Sequence, residues 1–345
     1  MSLSGRDKKR EEKIRTGEKM KDKIAIVNSS SFGKIFTDHM DRLEKIGQVE
    51  RFTVDSQIDG KELAELLQGY NYIISGVTPF FTKEFFENKD ELKIIARHGI
   101  GFNNIDLDAA KDHGTYVTKV AALVERDPVA ENCVTNLLSV MRKTIQANKA
   151  AKTGNWQKRA SFIGNGLSFK TVGIIGIGNI GSRVSEILNY GFRAKVLAYD
   201  PNKDDLYCQS FGADKVDLDT LLEKSDVICI AASLNEKNYH MLSDAEFKKM
   251  KDGVYISNCS RGALIDEKSM VQALKSNKVA GFATDVLEVE PAIENHPYFD
   301  FENVIVTTHT SAYTYECLGG MGEKCVSDCE KVSKGQRPDG IVNFL

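Results

Sequence analysis

The stretch from Thr171 to Asp200, TVGIIGIGNIGSRVSEILNYGFRAKVLAYD, decides the fold of this chain. It opens with a short apolar run, residues 172–175, and continues into three spaced glycines. Apolar residues then recur at helical spacing, and a second apolar run stops at the aspartate. The pattern predicts a strand, a tight glycine turn, a helix and a second strand, the unit from which parallel α/β sheets are built.

The spacing of the glycines predicts a nucleotide-binding turn. Gly176 makes the turn tight, Gly178 lets backbone approach a pyrophosphate, and Gly181 lets the helix lie close on the strand. The helix start at Asn179 offers unpaired N–H groups and a positive dipole end to the phosphates. Asp200 is placed to accept hydrogen bonds from an adenosine ribose and to repel a 2′-phosphate. The segment therefore predicts NAD rather than NADP, with an ordinary glycine-rich turn as the alternative.

Length and composition bound the class of protein. A chain of 345 residues can form two domains, each with its own core. With 28% charged residues and a net charge of −3, no basic surface for nucleic acid is indicated, and no apolar run reaches the roughly 18 residues that cross a bilayer. Seven cysteines without a CxxC pair indicate reduced, mostly buried thiols. We therefore expect a cytoplasmic protein with no metal and with no nucleic-acid or membrane partner.

The first 22 residues form a charged extension. Residues 1–23 contain nine Lys or Arg and five Asp or Glu, which is too charged for a secretory signal, and they lack its apolar region. We interpret residues 1–22 as a disordered or loosely helical extension. The sequence leaves open whether residues 1–3 are a cloning remnant. A basic arm that touches nucleic acid is disfavoured by the interspersed acids.

Residues 23–122 alternate short apolar runs with helical patterns before the glycine motif is reached. This alternation predicts a complete doubly wound domain, with a parallel sheet covered on both faces. Ligands of such sheets collect at the carboxyl ends of strands, and two of these ends carry glycines, Gly76 and Gly99. Their N–H groups either face an anion or only shape turns, and the pattern leaves both interpretations open.

A long helix is predicted over residues 124–143. Asp127 and Pro128 are suited to its N-cap and first turn. We interpret its apolar stripe as a contact between domains or between copies of a dimer, in preference to a catalytic use of Glu131. The stripe consists of Val129, Cys133, Val134, Leu137, Leu138 and Met141.

Four polar side chains stand at or beyond predicted strand ends downstream of the glycine motif. Hydride removal from a hydroxyl-bearing carbon needs a base, and His309 suits this role. Arg261 can clamp a carboxylate by two hydrogen bonds, and Glu290 can hold the imidazole ring. Asp285 is placed to fix the carboxamide of the cofactor. Each residue alone is more often an ordinary surface residue, and their joint occurrence after the motif favours catalysis.

Three segments resemble signature blocks of the NAD-dependent D-isomer-specific 2-hydroxyacid dehydrogenase family. They are NCSRGALID from Asn258, DVLEVEP from Asp285, and THTSAYT from Thr308. The segment RHGIGFNNID from Arg97 also resembles the family, so the similarity covers nearly everything after residue 23.

The resemblance implies an enzyme that interconverts a small 2-keto acid and a D-2-hydroxy acid with NAD. It implies a catalytic set of Arg261, Glu290 and His309, with the substrate carboxylate held by N–H groups at Gly76 and Val77. The predicted cofactor-binding residues are Gly176, Gly178, Asn179, Ile180, Gly181, Asp200, Ser233, Cys259 and Asp285. The predicted substrate-binding residues are Ser75, Gly76, Val77 and Tyr313.

The resemblance also implies the domain organisation. A flavodoxin-like substrate domain over residues 23–122 and 313–345 would hold an inserted Rossmann domain, residues 123–312, that binds NAD. Both are α/β domains with doubly wound parallel sheets, and the family pattern implies a homodimer.

Departures from the family pattern bear on the substrate. Where phosphoglycerate dehydrogenases of the family carry an arginine, this chain has Ser75, which argues against a phosphorylated substrate. Thr308 and Ser233 stand where proline is common in the family. These changes affect the expected local backbone conformation and leave the roles of the side chains intact. Glu290 disfavours a formate dehydrogenase, which would have glutamine there. Tyr313 completes an HTxxY run like that of D-lactate dehydrogenases and favours a substrate the size of pyruvate.

Other functions stay open at this stage. Within the enzyme class they are a hydroxypyruvate or glyoxylate reductase and a D-3-phosphoglycerate dehydrogenase. An NAD-sensing regulatory protein, similar to the corepressors that resemble this family, is the alternative from another class.

Overall fold

A computed structural model of the chain describes residues 22–344. The interpretation of residues 1–22 as an extension therefore lies outside the described residues, except for Asp22, which begins the first strand. The chain divides into two compact units, one holding residues up to Val124 and from Tyr315 on, the other Glu125–Thr314. We call these the first and the second unit. The predicted domain boundaries fall two residues before the observed ones.

The first unit contains a five-stranded parallel sheet. Its strands are Asp22–Val27 (β1), Gly47–Phe52 (β2), Tyr72–Ser75 (β3), Ile94–Arg97 (β4) and Tyr116–Thr118 (β5). The order is β2-β1-β3-β4-β5, which is the flavodoxin-like order.

Helices cover both faces of this sheet. They are Asp38–Ile46 (α1), Gly60–Leu66 (α2), Lys83–Asn88 (α3) and Leu107–Asp112 (α4). Alternate residues of β1 enter different cores, because successive side chains of a strand point to opposite faces. Ala25 and Val27 lie in one buried cluster, and Ile24 and Ile26 lie in the other.

The second unit contains a seven-stranded parallel sheet. Its strands are Thr171–Ile175 (β6), Lys195–Tyr199 (β7), Ala213–Lys215 (β8), Val227–Ile230 (β9), Val254–Asn258 (β10), Val279–Thr284 (β11) and Val304–Val306 (β12). The order is β12-β11-β10-β9-β6-β7-β8. Numbered from β6, this extends the Rossmann order by one strand, and the order reverses between β6 and β9. The predicted fold class, two doubly wound parallel-sheet domains, is confirmed.

Seven helices of the described chain precede or connect these strands. They are Ala122–Met141 (α5), Thr144–Lys152 (α6), Asn179–Glu186 (α7), Asp205–Ser210 (α8), Leu218–Lys224 (α9), Asp244–Lys249 (α10) and Glu267–Lys275 (α11). The last helix, Tyr315–Ser333 (α12), returns to the first unit, where Cys325, Val326 and Cys329 join the core of β1.

Helix α5 corrects two predictions. It begins five residues before Asp127, and Pro128 lies in its interior. The Asp127 carboxylate pairs with Arg183 of α7 at 2.6 Å instead of capping α5. Packing of the apolar stripe outweighs the one hydrogen bond that a proline cannot donate.

The stripe residues Val129, Cys133, Val134, Leu137 and Met141 are buried in the core of the second unit, so these side chains do not meet a second copy.

Several functional expectations concern the whole described chain. All seven cysteines are free and buried, as predicted. Within residues 22–344, no group of three His, Cys, Asp or Glu side chains gathers as a metal site. No helix in the same range has the length and apolar character to cross a membrane.

Candidate active site

The glycine turn after β6 requires its small residues for three different reasons. Gly176 has φ of +88°, and a Cβ there would lie 2.5 Å from Cα of Ala232. A Cβ at Gly181 would lie 2.0 Å from the carbonyl oxygen of Gly176, so this glycine lets α7 pack on the turn. A Cβ at Gly178 would meet nothing within 4 Å. The space beside Gly178 is therefore open to a ligand.

The start of α7 is suited to bind an anion. No side chain caps this helix, and the N–H groups of Asn179 and Ile180 have no acceptor within residues 22–344. Asp200 follows β7 at the same edge, and its two carboxylate oxygens accept from the N–H groups of Ile177, at 3.1 Å, and Asn202, at 2.9 Å. The carboxylate is thereby fixed beside the turn. These residues fit NAD.

Substituting two of these glycines separates packing from ligand binding. We expect Gly181→Ala to lower the unfolding free energy by about 1 to 3 kcal/mol, because the new methyl group meets a backbone oxygen that cannot move away. We expect Gly178→Ala, at φ of −73°, to melt like the wild type and to weaken NADH binding at least tenfold, about 1.4 kcal/mol. Thermal melting and NADH fluorescence titration measure the two effects. Unchanged NADH affinity of Gly178→Ala would contradict the assignment of the turn.

His309 and Glu290 form a hydrogen-bonded pair. Nδ1 of His309 lies 2.7 Å from Oε2 of Glu290, and Oε1 of Glu290 accepts from the N–H of Leu287 at 2.9 Å. Because a carboxylate only accepts, Nδ1 carries the hydrogen, and Nε2 is the nitrogen that exchanges a proton with a ligand. Both side chains are partly exposed, at 29% for His309 and 26% for Glu290. The pair is therefore oriented and accessible, as an acid or base requires.

The backbone around His309 is held in an uncommon conformation. His309 has φ of +55°, in the left-handed region that few residues other than glycine adopt. Its N–H donates to the carbonyl of Asp285 at 3.0 Å. The carboxylate of Asp285 accepts from the hydroxyl of Thr307 and from the N–H groups of Thr310, at 2.9 Å, and Ser311, at 2.7 Å. The hydrogen bonds of Asp285 therefore hold the segment that carries His309.

Two asparagines of α5, which the sequence did not single out, complete this hold. Nδ2 of Asn136 donates to Thr307 at 3.3 Å, and Ser311 donates to Oδ1 of Asn132 at 2.9 Å. Nδ2 of Asn136 also donates to Oδ1 of Asn132 at 2.8 Å. Their spacing of four places them on one helical face, and this polar pair beside an apolar stripe is the signal by which the sequence could have identified them.

Arg261 follows β10 in a turn that Asn258 shapes. Nδ2 of Asn258 donates to the carbonyl of Arg261 at 2.9 Å, and Nη1 of Arg261 donates to the carbonyl of Ser260 at 2.7 Å. Burial lowers the pKa of Arg261, and the carboxylates of Glu125 and Glu290 oppose this shift. An arginine in this setting stays protonated. Glu290 thus interacts with both His309 and Arg261, and the structure brings together the three residues predicted to be catalytic.

The backbone explains this proximity. A Cβ at Gly262 would lie 2.0 Å from the carbonyl carbon of Leu287, so the turn after Arg261 lies directly against the segment that leads to Glu290. Glu125, which is buried on α5, adds a second carboxylate near the guanidinium and was missed from the sequence because α5 is distant along the chain.

Three further residues, predicted to bind cofactor or substrate, differ in how far their side chains are exposed. Ser233 is exposed and follows Ala232, the neighbour of Gly176. The thiol of Cys259 is buried and contacts the carbonyl of Ile230 at 3.6 Å, so its side chain lies in the core and a cofactor contact there falls to its backbone. Tyr313 is half exposed, and its N–H donates to the carbonyl of Thr310 at 2.9 Å.

The predicted substrate loop of the first unit requires one correction. The N–H of Gly76 donates to the carbonyl of Val27 at 2.9 Å, so it extends the sheet and is not available to a carboxylate. The N–H of Val77 has no acceptor in the part of the chain that the structure describes. Ser75 is buried, and its hydroxyl donates to the carbonyl of Gly76 at 3.0 Å. The buried Arg97 also donates to carbonyls of Ser75 and Gly76 and thereby shapes this loop.

Comparisons with known proteins agree with these features. The family model for the NAD-binding domain of D-isomer specific 2-hydroxyacid dehydrogenases matches residues 134–311. A glyoxylate reductase of Thermococcus litoralis is 33% identical over 307 residues, which are 87% of this chain and 92% of that protein. The apo structure of D-lactate dehydrogenase from Escherichia coli has 30% identity and a TM-score of 0.79, covering 93% of this chain and 99% of that one. The structure of D-lactate dehydrogenase from Aquifex aeolicus with NAD and lactic acid has 27% identity and a TM-score of 0.80, with 93% and 99% covered.

Proposed function

Because the chain belongs to the D-isomer-specific 2-hydroxyacid dehydrogenase family, an NAD-dependent class that interconverts 2-keto and 2-hydroxy acids, we propose that Arg261, Glu290 and His309 catalyse this reaction. We further propose that the physiological substrate is a small, unphosphorylated 2-keto acid. The observation that carries the proposal is the 2.7 Å contact between His309 and Glu290, with Glu290 also stabilising the charge of Arg261.

The proposed mechanism assigns one task to each side chain. NAD, when bound, supplies the hydride chemistry. Arg261 pairs with the substrate carboxylate and polarises the neighbouring carbonyl, because its planar fork matches two oxygens at once. His309 donates a proton from Nε2 to the carbonyl oxygen as that oxygen becomes a hydroxyl. Glu290 fixes the ring through Nδ1 and stabilises the imidazolium that the reverse reaction forms.

We propose that the glycine turn and α7 hold the pyrophosphate and that Asp200 holds the ribose. The uncapped N–H groups of Asn179 and Ile180 support the first assignment. Ser233, Cys259 and Asp285 are proposed as further contacts of the cofactor, with Asp285 at its carboxamide, on the family pattern and on their position in the chain. In the first unit, the N–H of Val77 is proposed to contact the substrate carboxylate, since it has no acceptor within residues 22–344.

The choice of substrate rests on two residues. Ser75 is uncharged and buried, so its side chain offers nothing to a phosphate, and Tyr313 resembles the tyrosine of D-lactate dehydrogenases. NADH oxidation with pyruvate, 2-ketobutyrate, hydroxypyruvate, glyoxylate and phosphohydroxypyruvate tests the proposal. We expect turnover of one or more of the first four and little of the phosphorylated acid. Tight NADH binding without turnover of any would contradict the proposal and favour a regulatory protein that senses NADH.

We also propose that the protein is a cytoplasmic homodimer. Its free, buried thiols support a reducing compartment. Residues 144–170 support the dimer, because α6 and the 3₁₀ turn Trp156–Phe162 contain no buried residue while Trp156 is 73% and Phe169 is 99% exposed. Light scattering of the wild type should give twice the chain mass, and a double variant with Trp156→Asp and Phe169→Asp should give the chain mass. A monomeric wild type at micromolar concentration would refute the dimer.

A further inference from the structure

The loop that carries Glu290 is bounded by two histidine–carboxylate pairs outside the catalytic set. His240 contacts Glu288 through Nε2, at 2.9 Å, and Asp266 through Nδ1, at 3.3 Å. His296 contacts Glu267 through Nε2 at 3.3 Å. We call these five residues the loop clamp.

Glu267 joins the two ends of the loop. Its Oε1 accepts from the N–H of Glu288 at 3.1 Å, while its Oε2 faces His296. Glu267 is the first residue of α11, and Asp266 caps that helix by accepting from the N–H of Ser269 at 2.7 Å. The two carboxylates therefore sit at a helix N-terminus, where the dipole stabilises negative charge. The clamp is attached to a regular element and not to another loop.

The side chain of Glu288 is held from more than one direction. Besides His240, the hydroxyl of Tyr239 donates to it at 2.7 Å, and the ring of Tyr239 stacks on His240 with centroids 3.9 Å apart. The other ring nitrogen of His240, Nδ1, lies 3.3 Å from Asp266. Each of the three carboxylates of the clamp therefore faces an imidazole ring.

The clamp reaches the catalytic pair through two consecutive peptide units. Glu288 is anchored at both its N–H and its carboxylate, and the residue before it, Leu287, donates its N–H to Oε1 of Glu290 at 2.9 Å. The other oxygen of Glu290 holds His309. A shift of the Leu287–Glu288 backbone therefore moves the carboxylate that orients the imidazole.

We propose that His240, Glu267 and Glu288 are positioning residues for the reaction, and that they act by holding Glu290 at hydrogen-bonding distance from His309. The inference rests on the proposed function in one respect, since it takes Glu290 as the group that orients His309. It assigns no contact with substrate or cofactor to the clamp. Its effect is therefore on turnover and not on binding.

The variant Glu288→Gln tests this assignment, because it keeps the size of the side chain and replaces the carboxylate that contacts His240 with a neutral amide. We expect kcat to fall about tenfold, since small displacements of catalytic groups are costly. KM for the 2-keto acid and the Kd for NADH should stay within about twofold of the wild type. Asp219→Asn is a matched control, because it removes the same charge from an exposed pair, 2.6 Å from Lys249. A raised KM with unchanged kcat in Glu288→Gln would overturn the proposal.

A double-mutant cycle separates positioning from a general loss of stability. In a Glu290→Gln background, Glu288→Gln should cause no further loss of kcat, because the group it positions is already gone. Independent, additive losses would overturn the proposal. If Glu288→Gln does not fold, His240→Asn replaces it in the same cycle with the same two outcomes, because His240 has φ of +51° and asparagine adopts this conformation readily. Should Glu290→Gln alone keep the wild-type kcat, the role given to Glu290 under the proposed function fails, and the clamp proposal fails with it. A Glu290→Gln variant that keeps both the wild-type kcat and the wild-type NADH affinity would still be an active NAD-dependent dehydrogenase. That result would contradict the role of Glu290 and not the activity of the family.

Discussion

Replacing His309 with asparagine should lower kcat by about 10²- to 10⁴-fold, the range that general acid–base catalysis contributes. The loss follows because the substituted amide cannot give a proton from the position of Nε2. Asparagine is the appropriate replacement, because His309 has φ of +55° and asparagine adopts this conformation more readily than alanine does. Steady-state NADH oxidation with the best substrate of the panel measures the effect.

Two controls accompany the His309 variant. The melting temperature should stay near that of the wild type, because the segment is held by its backbone and by Asp285. NADH affinity should be unchanged, because the glycine turn is untouched. Turnover at the wild-type rate would show that the imidazole does not take part in proton transfer.

Replacing Arg261 with glutamine should lower kcat/KM by about 10²- to 10³-fold, which corresponds to the loss of a hydrogen-bonded charge pair with the substrate. Most of the loss should appear in KM. The remaining carboxylates of Glu125 and Glu290 then face the substrate carboxylate without a compensating cation, and like charges repel. Arg261→Lys should lie between glutamine and the wild type, because it restores the charge without the planar fork.

Initial-rate kinetics over a range of keto acid concentrations measures the Arg261 series. The order arginine, lysine, glutamine in kcat/KM is the expected result. Equal KM values for all three would show that the guanidinium does not bind the substrate carboxylate. NADH titration supplies the control, since Arg261 is assigned to substrate and not to cofactor.

The sheet of each unit was predictable because buried parallel strands appear as short apolar runs. Strand β6, the glycine turn and Asp200 are consecutive in sequence, so local reasoning reached them. Strand β8 was missed because it has three residues, two of them exposed. The start of α5 was missed because Asp127 and Pro128 give a strong local signal that tertiary packing overrides.

The side chains of the candidate site were predictable, and their supports were not. Strand ends placed Arg261 and His309 on one edge of a sheet without any knowledge of their contacts. The contacts of Asn132 and Glu125 with that edge depend on how α5 packs, which no local pattern encodes. The same holds for Gly76, whose N–H is taken up by the neighbouring strand.

The fastening of the segment around His309 has an energetic consequence. Its donors and acceptors, from Asp285 to the amides of α5, all belong to the chain itself, so the imidazole is preorganised. Binding of a keto acid then requires no reorganisation of the proton donor. The free energy of binding is therefore available to stabilise the transition state.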